Sequence, residues 1–91
     1  MTVAASIEAK LKATFQPVAL AVVDDSARHA GHAGARTGGE THFNVRMVTA
    51  AFTGQSRVAR QRAVYKTLAA ELAGPVHALA LELLTPEEAK R

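Results

Sequence analysis

The sequence contains no cysteine. That excludes a disulfide scaffold, a CxxC redox site, a cysteine nucleophile and any zinc or iron–sulfur site ligated by the chain's own thiolates. Aromatic side chains are scarce, three Phe and one Tyr, so stacking platforms for nucleic-acid bases are poorly supplied. Long apolar runs are missing too. The longest, Val18 to Val23, falls far short of the ~20 residues that a membrane span takes, so no membrane partner is expected. Residues 1–15 scatter Glu8, Lys10 and Lys12 along their length. They match neither a secretory leader nor an Arg-rich, acid-free mitochondrial one, and a reducing, cytoplasmic setting is expected. The charge excess is small: 11 basic against 8 acidic residues leaves +3, which permits an acidic partner without demanding one. What is present, 91 residues that are 48% hydrophobic and 21% charged, suffices for one domain spanning residues 1–91 around one core.

Val3, Ile7, Leu11 and Phe15 recur every four residues and predict a helix capped by Thr2 and stopped before Pro17. Val18 to Val23 is short, β-branched and ended by Asp24-Asp25-Ser26, which predicts a strand. Residues 26–40 then read as a long loop with Gly31, Gly34, Gly38 and Gly39 beside His29 and His32. A loop of that length in so small a chain is usually functional or mobile. Thr41 to Thr49 alternates, Phe43, Val45 and Met47 on one face and His42, Asn44 and Arg46 on the other, as a half-buried strand does. Ser56 caps a helix expected over Arg57 to Ala73, with Val58, Gln61, Tyr65, Leu68 and Leu72 as its core face and Gly74-Pro75 as its stop. Val76 to Leu84 predicts a third strand, with His77, Leu79, Leu81 and Leu83 on one side. Thr85-Pro86-Glu87-Glu88 spells a capping box that opens a last short helix. The expected class is α+β, in the order αββ(α)αβα. Strands one and two form an antiparallel hairpin, strands two and three are parallel through a right-handed crossover, and the helices cover one face of the mixed three-stranded sheet.

No enzyme constellation emerges. Ser6, Ser26 and Ser56 lack a nucleophile elbow, Asp24-Asp25 is strand-ending turn chemistry, and Gly54-Gln55-Ser56 lacks the spacing and lysine of a phosphate loop. The four histidines are the candidates of note. On pattern alone His77 reads as a rim-of-core residue satisfied by a carbonyl, with a metal ligand held on a rigid strand as the alternative. His29 and His32 read either as solvated loop residues or as ligands that swing toward a scaffold histidine. His42 reads as a surface residue paired with Glu40. Arg57, Arg60, Arg62 and Lys66 make the long helix basic, but on a wheel they flank both sides of the core face rather than forming one stripe for a nucleic-acid groove.

Several stretches together resemble the BolA family along nearly the whole chain. They are Phe15-Gln16-Pro17, Asp24-Asp25-Ser26, the His-bearing loop, Glu40-Thr41-His42-Phe43, Phe52-Thr53-Gly54, Arg60-Gln61-Arg62 and Val76-His77-Ala78-Leu79. The resemblance implies a type II KH-like (BolA-like) fold. It also implies a non-enzymatic role as partner of a monothiol glutaredoxin. In such pairs a [2Fe–2S] cluster is bridged: the glutaredoxin and its glutathione give sulfur ligands, and the BolA-like chain gives histidine or cysteine. Carried onto this chain, the family's C-terminal histidine ligand falls on His77. The variable loop ligand falls on His29, with His32 close enough to substitute. A chain without thiols can still ligate a cluster through imidazole, as Rieske-type centres do, but it cannot hold one alone. The family commonly shows Arg-His-Arg where Arg60-Gln61-Arg62 stands here, so Gln61 is expected to keep only a structural hydrogen bond. The family is also described as DNA-binding regulators, for which Arg57, Arg60, Arg62 and Lys66 would form the positive surface. Gly31-His32-Ala33-Gly34 has the spelling of the KH nucleic-acid loop but sits between strands rather than helices. A free-standing metal-binding domain is the third possibility, marked by affinity for iron or zinc without any partner. The free chain is expected as a monomer or weak homodimer.

Overall fold

A computed structural model describes residues 2–25 and 42–90. Helix α1 (Val3–Phe15) starts where the Thr2 hydroxyl accepts the Ala5 N–H at 3.0 Å. It ends where Gln16 turns left-handed at φ 48°, its N–H donating to the Lys12 carbonyl, just before Pro17. The four-residue repeat does what it predicts: Ile7, Leu11 and Phe15 are buried and Val3 packs against them.

Strands β1 (Ala19–Asp24), β2 (His42–Val48) and β3 (Ala78–Leu84) form one sheet in the order β1-β2-β3. β1 runs antiparallel to β2, from Ala19 opposite Val48 to Asp24 opposite Phe43. β3 runs parallel to β2, from Ala78 beside His42 to Leu84 beside Val48. The mixed sheet is therefore as expected, with β1 displaced by one residue and β2 and β3 slightly shorter than expected. The alternation in β2 sends Phe43, Val45 and Met47 into a core shared with α1, with Val64 and Leu68 of the following helices, and with Leu83 of β3. Full burial of side chains such as Phe43 and Met47 contributes roughly 2 kcal/mol each. Both helix layers lie on this face, and Ala21, Arg46, Ala80 and Glu82 stand exposed on the other.

After β2, Thr49 is 1% exposed and caps a single 3-10 turn, Ala50–Phe52. Its hydroxyl donates to the Phe15 carbonyl at 2.7 Å and accepts the Ala51 N–H at 3.1 Å, which ties the end of α1 to the exit of the sheet. The turn closes through Gly54, whose φ of 80° is a region that L side chains rarely adopt.

The long helix differs from expectation in two ways. It is two helices, α2 (Arg57–Thr67) and α3 (Ala69–Ala73), separated at Leu68, where φ −102° and ψ 21° depart from helical values. Its inward face is also rotated from the expected one. Val58 is 55% exposed and Tyr65 41% exposed, and Gln61 faces solvent. Leu68 is buried and Leu72 packs against the core as expected, but Arg60, Val64 and Glu71 point in where Val58, Gln61 and Tyr65 do not. A wheel scored on apolar residues cannot find this face, because two of its members are charged and each is buried with a partner. Glu71 accepts from Ser6 Oγ at 2.7 Å and Lys10 Nζ at 2.9 Å, which joins α3 to α1. Burial pushes the Glu71 carboxyl up, but the hydrogen bonds from Lys10 and Ser6 outweigh it and leave it below the usual carboxylate value.

Helix α4 (Pro86–Ala89) opens with the expected capping box: Thr85 Oγ1 accepts the Glu88 N–H at 3.2 Å, and Glu88 Oε1 accepts the Thr85 N–H at 2.8 Å.

Candidate functional site

Because β2 and β3 are parallel, both begin at the same end of the sheet, where β1 finishes. Two histidines meet there. His42 is the first residue of β2 and lies beside Ala78 in the register. His77 immediately precedes β3. Their ring centres are 6.5 Å apart and the ring planes 19° apart. His77 is exposed and His42 half-buried.

The surrounding backbone fixes this end. On the β1 side, the Asp25 N–H donates to the His42 carbonyl at 2.7 Å. On the β3 side, Val76 is 4% exposed, and its N–H donates to the Glu71 carbonyl at 3.1 Å. His77 therefore stands between an anchored residue and the start of a strand. The row of leucines that follows it points inward, whereas His77 does not: the reading of His77 as a rim-of-core residue fails because it precedes the pleat rather than continuing it. His29 and His32 lie outside the described residues, as does Glu40, the expected partner of His42. The described chain breaks off at Asp25 and resumes at His42, hydrogen-bonded neighbours at the end of the sheet that carries His77.

The basic residues of α2 divide. Arg57, Arg62 and Lys66 are exposed. Arg60 is 7% exposed and leaves the expected positive surface, because its guanidinium is consumed internally. Nη1 donates to Glu88 Oε1 at 2.7 Å and to the Leu83 carbonyl at 3.0 Å, and Nη2 donates to Glu88 Oε2 at 3.2 Å. Nε donates to the Gln55 carbonyl at 3.0 Å. The guanidinium carbon sits 5.7 Å from the centre of the Phe52 ring. The Arg60 hydrogen bonds, with the Thr85 N–H, hold the Glu88 carboxyl down to about 2. A groove of about 440 Å³ lies over this pair, between α2 and β3, bordered by Arg57, Gln61, Leu81 and Leu84. Gln61 is thus a groove-wall residue rather than the core hydrogen-bonder expected from its wheel position.

Among the described residues no three His, Asp or Glu side chains converge as a metal site, and no helix is long and apolar enough to cross a membrane. The sequence pattern of the family described as BolA-like protein matches residues 11–88. The chain belongs to the BolA-like family. It is 49% identical to the DNA-binding transcriptional regulator BolA of Escherichia coli K12, over 97% of this chain and 80% of that protein. It is 44% identical to mouse BolA-like protein 1, over 94% of this chain and 60% of the mouse protein, so it spans somewhat under two thirds of that relative. Among solved structures, the BolA domain of SufE1 from Arabidopsis thaliana superposes with a TM-score of 0.84 at 45% identity, covering 93% of each chain. Yeast Fra2 superposes with a TM-score of 0.65 at 26% identity, covering 100% of this chain and 86% of Fra2. The BolA-like fold anticipated from the sequence is the fold observed.

Sequence reasoning missed the pairing of His42 with His77. The signal was present: two strands expected to be parallel each begin beside a histidine, and a parallel register aligns beginnings. It missed the Arg60–Glu88 pair as well, for which only the capping box at Thr85 hinted that Glu88 was committed to structure.

Proposed function

We propose that this BolA-like chain is a non-enzymatic partner of a monothiol glutaredoxin in a reducing, cytoplasmic compartment. It supplies His77, with His29 or His32 as second ligand, to a bridging [2Fe–2S] cluster used in cluster trafficking or iron sensing. The observation that carries the reading is His77 itself: an exposed imidazole on a backbone fixed between α3 and β3. The chain fits such a group as half of a donor set. Imidazole is an established ligand of [2Fe–2S] iron, and with no cysteine the chain needs thiolates from a partner. The cluster would supply the redox and transfer chemistry. This chain's part is to present nitrogen donors from a surface a second protein can reach.

The test is visible absorption and circular dichroism of the protein mixed anaerobically with a monothiol glutaredoxin, glutathione, iron and sulfide. The expected result is conversion of the glutaredoxin homodimer spectrum to a new one at a one-to-one ratio, prevented by His77→Ala. An unchanged spectrum in the mixture, or the same new spectrum with His77→Ala, defeats the proposal. Loss with His29→Ala but not with His32→Ala assigns the loop ligand, and the converse shifts it.

A second reading, a DNA-binding regulator, is favoured by the printed name of the E. coli relative and by the exposed Arg57, Arg62 and Lys66. It predicts binding that falls steeply with salt and is lost when these three become Glu. Arg60 is the wrong residue to change for this purpose, because its guanidinium is engaged internally and its loss would weaken the fold rather than discharge the surface.

A further inference from the structure

We infer that the outer edge of β3 is a docking groove for an extended peptide segment of a partner protein, which adds a fourth strand to the sheet and sets a carboxylate against Arg57. The surface uses neither His77 nor a metal, so it stands apart from the cluster reading.

The ladder decides which backbone groups of β3 are left over. Alternate residues of a strand turn their N–H and C=O groups to the same side. The Leu84 carbonyl accepts from the Thr49 N–H at 2.9 Å, so Leu84, Glu82, Ala80 and Ala78 bond toward β2. The far side of β2 agrees with this parity: the His42 and Val48 carbonyls accept from the Asp25 and Val18 N–H groups, on the side of β1. Leu79, Leu81 and Leu83 therefore turn their backbone groups away from the sheet, and β3 is an edge strand. One of these groups is engaged, the Leu83 carbonyl, which accepts from Arg60 Nη1 at 3.0 Å. The N–H and C=O of Leu79 and Leu81 have no partner among the described residues. An edge with open donors and acceptors is a template on which a further strand can pair.

The wall beside that edge selects the occupant. The groove of about 440 Å³ between α2 and β3 has Leu81, Leu83 and Leu84 on one side and Arg57 and Gln61 on the other. Its charges are paired except one. Glu88 is held by Arg60 at 2.7 Å and Glu82 by Arg46 at 3.2 Å, whereas Arg57 is exposed and has no acidic partner among the described residues. Side chains of a strand alternate between faces, so an added strand presents every second side chain to α2. In that row an apolar side chain covers Leu81 and a carboxylate meets Arg57. A second copy paired antiparallel through β3 supplies no such carboxylate, because the one acid of β3, Glu82, stays on the face away from the helices and bonded to Arg46. A nucleic-acid strand would bring phosphates to Arg57, but the groove carries no aromatic side chain on which a base could stack.

The experiment titrates the isotope-labelled full chain, followed by NMR, with a blocked heptapeptide that alternates threonine and valine and carries glutamate in place of the central valine. A counterpart peptide carries glutamine there. The expected results are saturable shifts centred on the amides of Leu79, Leu81 and Leu83, with Kd below about 1 mM, and slower hydrogen exchange of those amides in the bound state. In the free protein the same amides exchange faster than those of Ala80, Glu82 and Leu84. The glutamine peptide and Arg57→Gln each weaken binding at least about threefold, and the two changes together weaken it no further than either alone. Arg62→Gln, on the same helix but outside the groove, stays within about twofold of wild type. N-methylation of alternate peptide nitrogens abolishes binding for one set and spares it for the other, as bonding along a single edge requires. No saturable binding below about 1 mM, shifts centred away from β3, tolerance of both methylated sets, or equal affinity for the glutamine peptide overturns the inference. So do concentration-dependent shifts of Leu79 to Leu83 without peptide, which give the edge to a second copy. Tighter seating of a single-stranded oligothymidylate at these amides overturns it in favour of nucleic acid. None of these outcomes depends on iron, sulfide or a glutaredoxin, so the two proposals fail separately.

Discussion

The two ends of the sheet are built on opposite plans. Where β2 and β3 finish, polar groups are turned inward and engaged with one another: Thr49 to Phe15, Arg60 to Glu88, Gln55 and Leu83, and Glu88 to Thr85. Where they begin, the backbone is fixed but the side chain of His77 faces solvent. One end spends its charged groups on holding elements together. The other keeps the imidazole of His77 exposed. The engaged polar groups and the exposed imidazole thereby stand at opposite ends of the same two strands, and changes at one end should leave the other intact.

The largest effect that tests this division is expected from Arg60→Ala. It takes the Arg60 donors from the Leu83 and Gln55 carbonyls, leaves the Glu88 carboxylate only the Thr85 N–H, and removes the contact with Phe52, at a cost of about 3 kcal/mol. For a chain of this size that lowers Tm by more than about 10 °C. A thermal melt within a few degrees of wild type would show that the engaged end is not what holds the fold. Thr49→Val comes next. It removes the donor to the Phe15 carbonyl in a site closed to water, and chemical denaturation should show a loss of about 1–2 kcal/mol with an unchanged slope.

Acid should act on the engaged end by a smaller amount. The Glu88 carboxyl is held from its ordinary 4.5 down to about 2 in the folded chain. Its contribution is therefore complete above about 4.5 and is lost as pH falls from there toward about 2. Glu71, also lowered, acts in the same direction. Glu88→Gln should lower stability above about pH 5, where the contribution is complete, and so flatten the profile across that window; a profile of the same shape in the variant would assign the acid sensitivity elsewhere. The smallest effect belongs to the other end. His77→Ala should change unfolding free energy by less than about 0.5 kcal/mol, while removing any ligand chemistry the end performs. A large loss of stability in that variant would erase the distinction between the two ends.

Legibility in the sequence follows the range of the interactions. The α1 repeat, its Thr2 cap, the alternation of Phe43, Val45 and Met47 and the Thr85–Glu88 capping box all depend on residues within a few positions of each other, and each is present as read. The inward face of α2 and α3 is not local. Arg60 can be buried because Glu88 lies across the fold from it, and Glu71 because Ser6 and Lys10 do. Nothing within the helix announces those partners, so a wheel that seeks apolar residues chooses Val58 and Tyr65 instead. The resemblance to a family named His77 as a candidate, but only the register of β2 on β3 sets His42 beside it.

The engagement of Glu88 has a consequence for how the fold opens. Helix α4 has four residues, far too few to persist by itself in water. Its cap residue uses the same carboxylate oxygen, Oε1, to accept from the Thr85 N–H and from Arg60. The turn therefore exists only while α2 is docked against β3. The amide protons of Glu88 and Ala89, bonded to Thr85, should exchange with solvent at the rate of global opening rather than at the fast rate of a fraying segment. A stretch beyond the last strand thus becomes a reporter on the cooperativity of the whole.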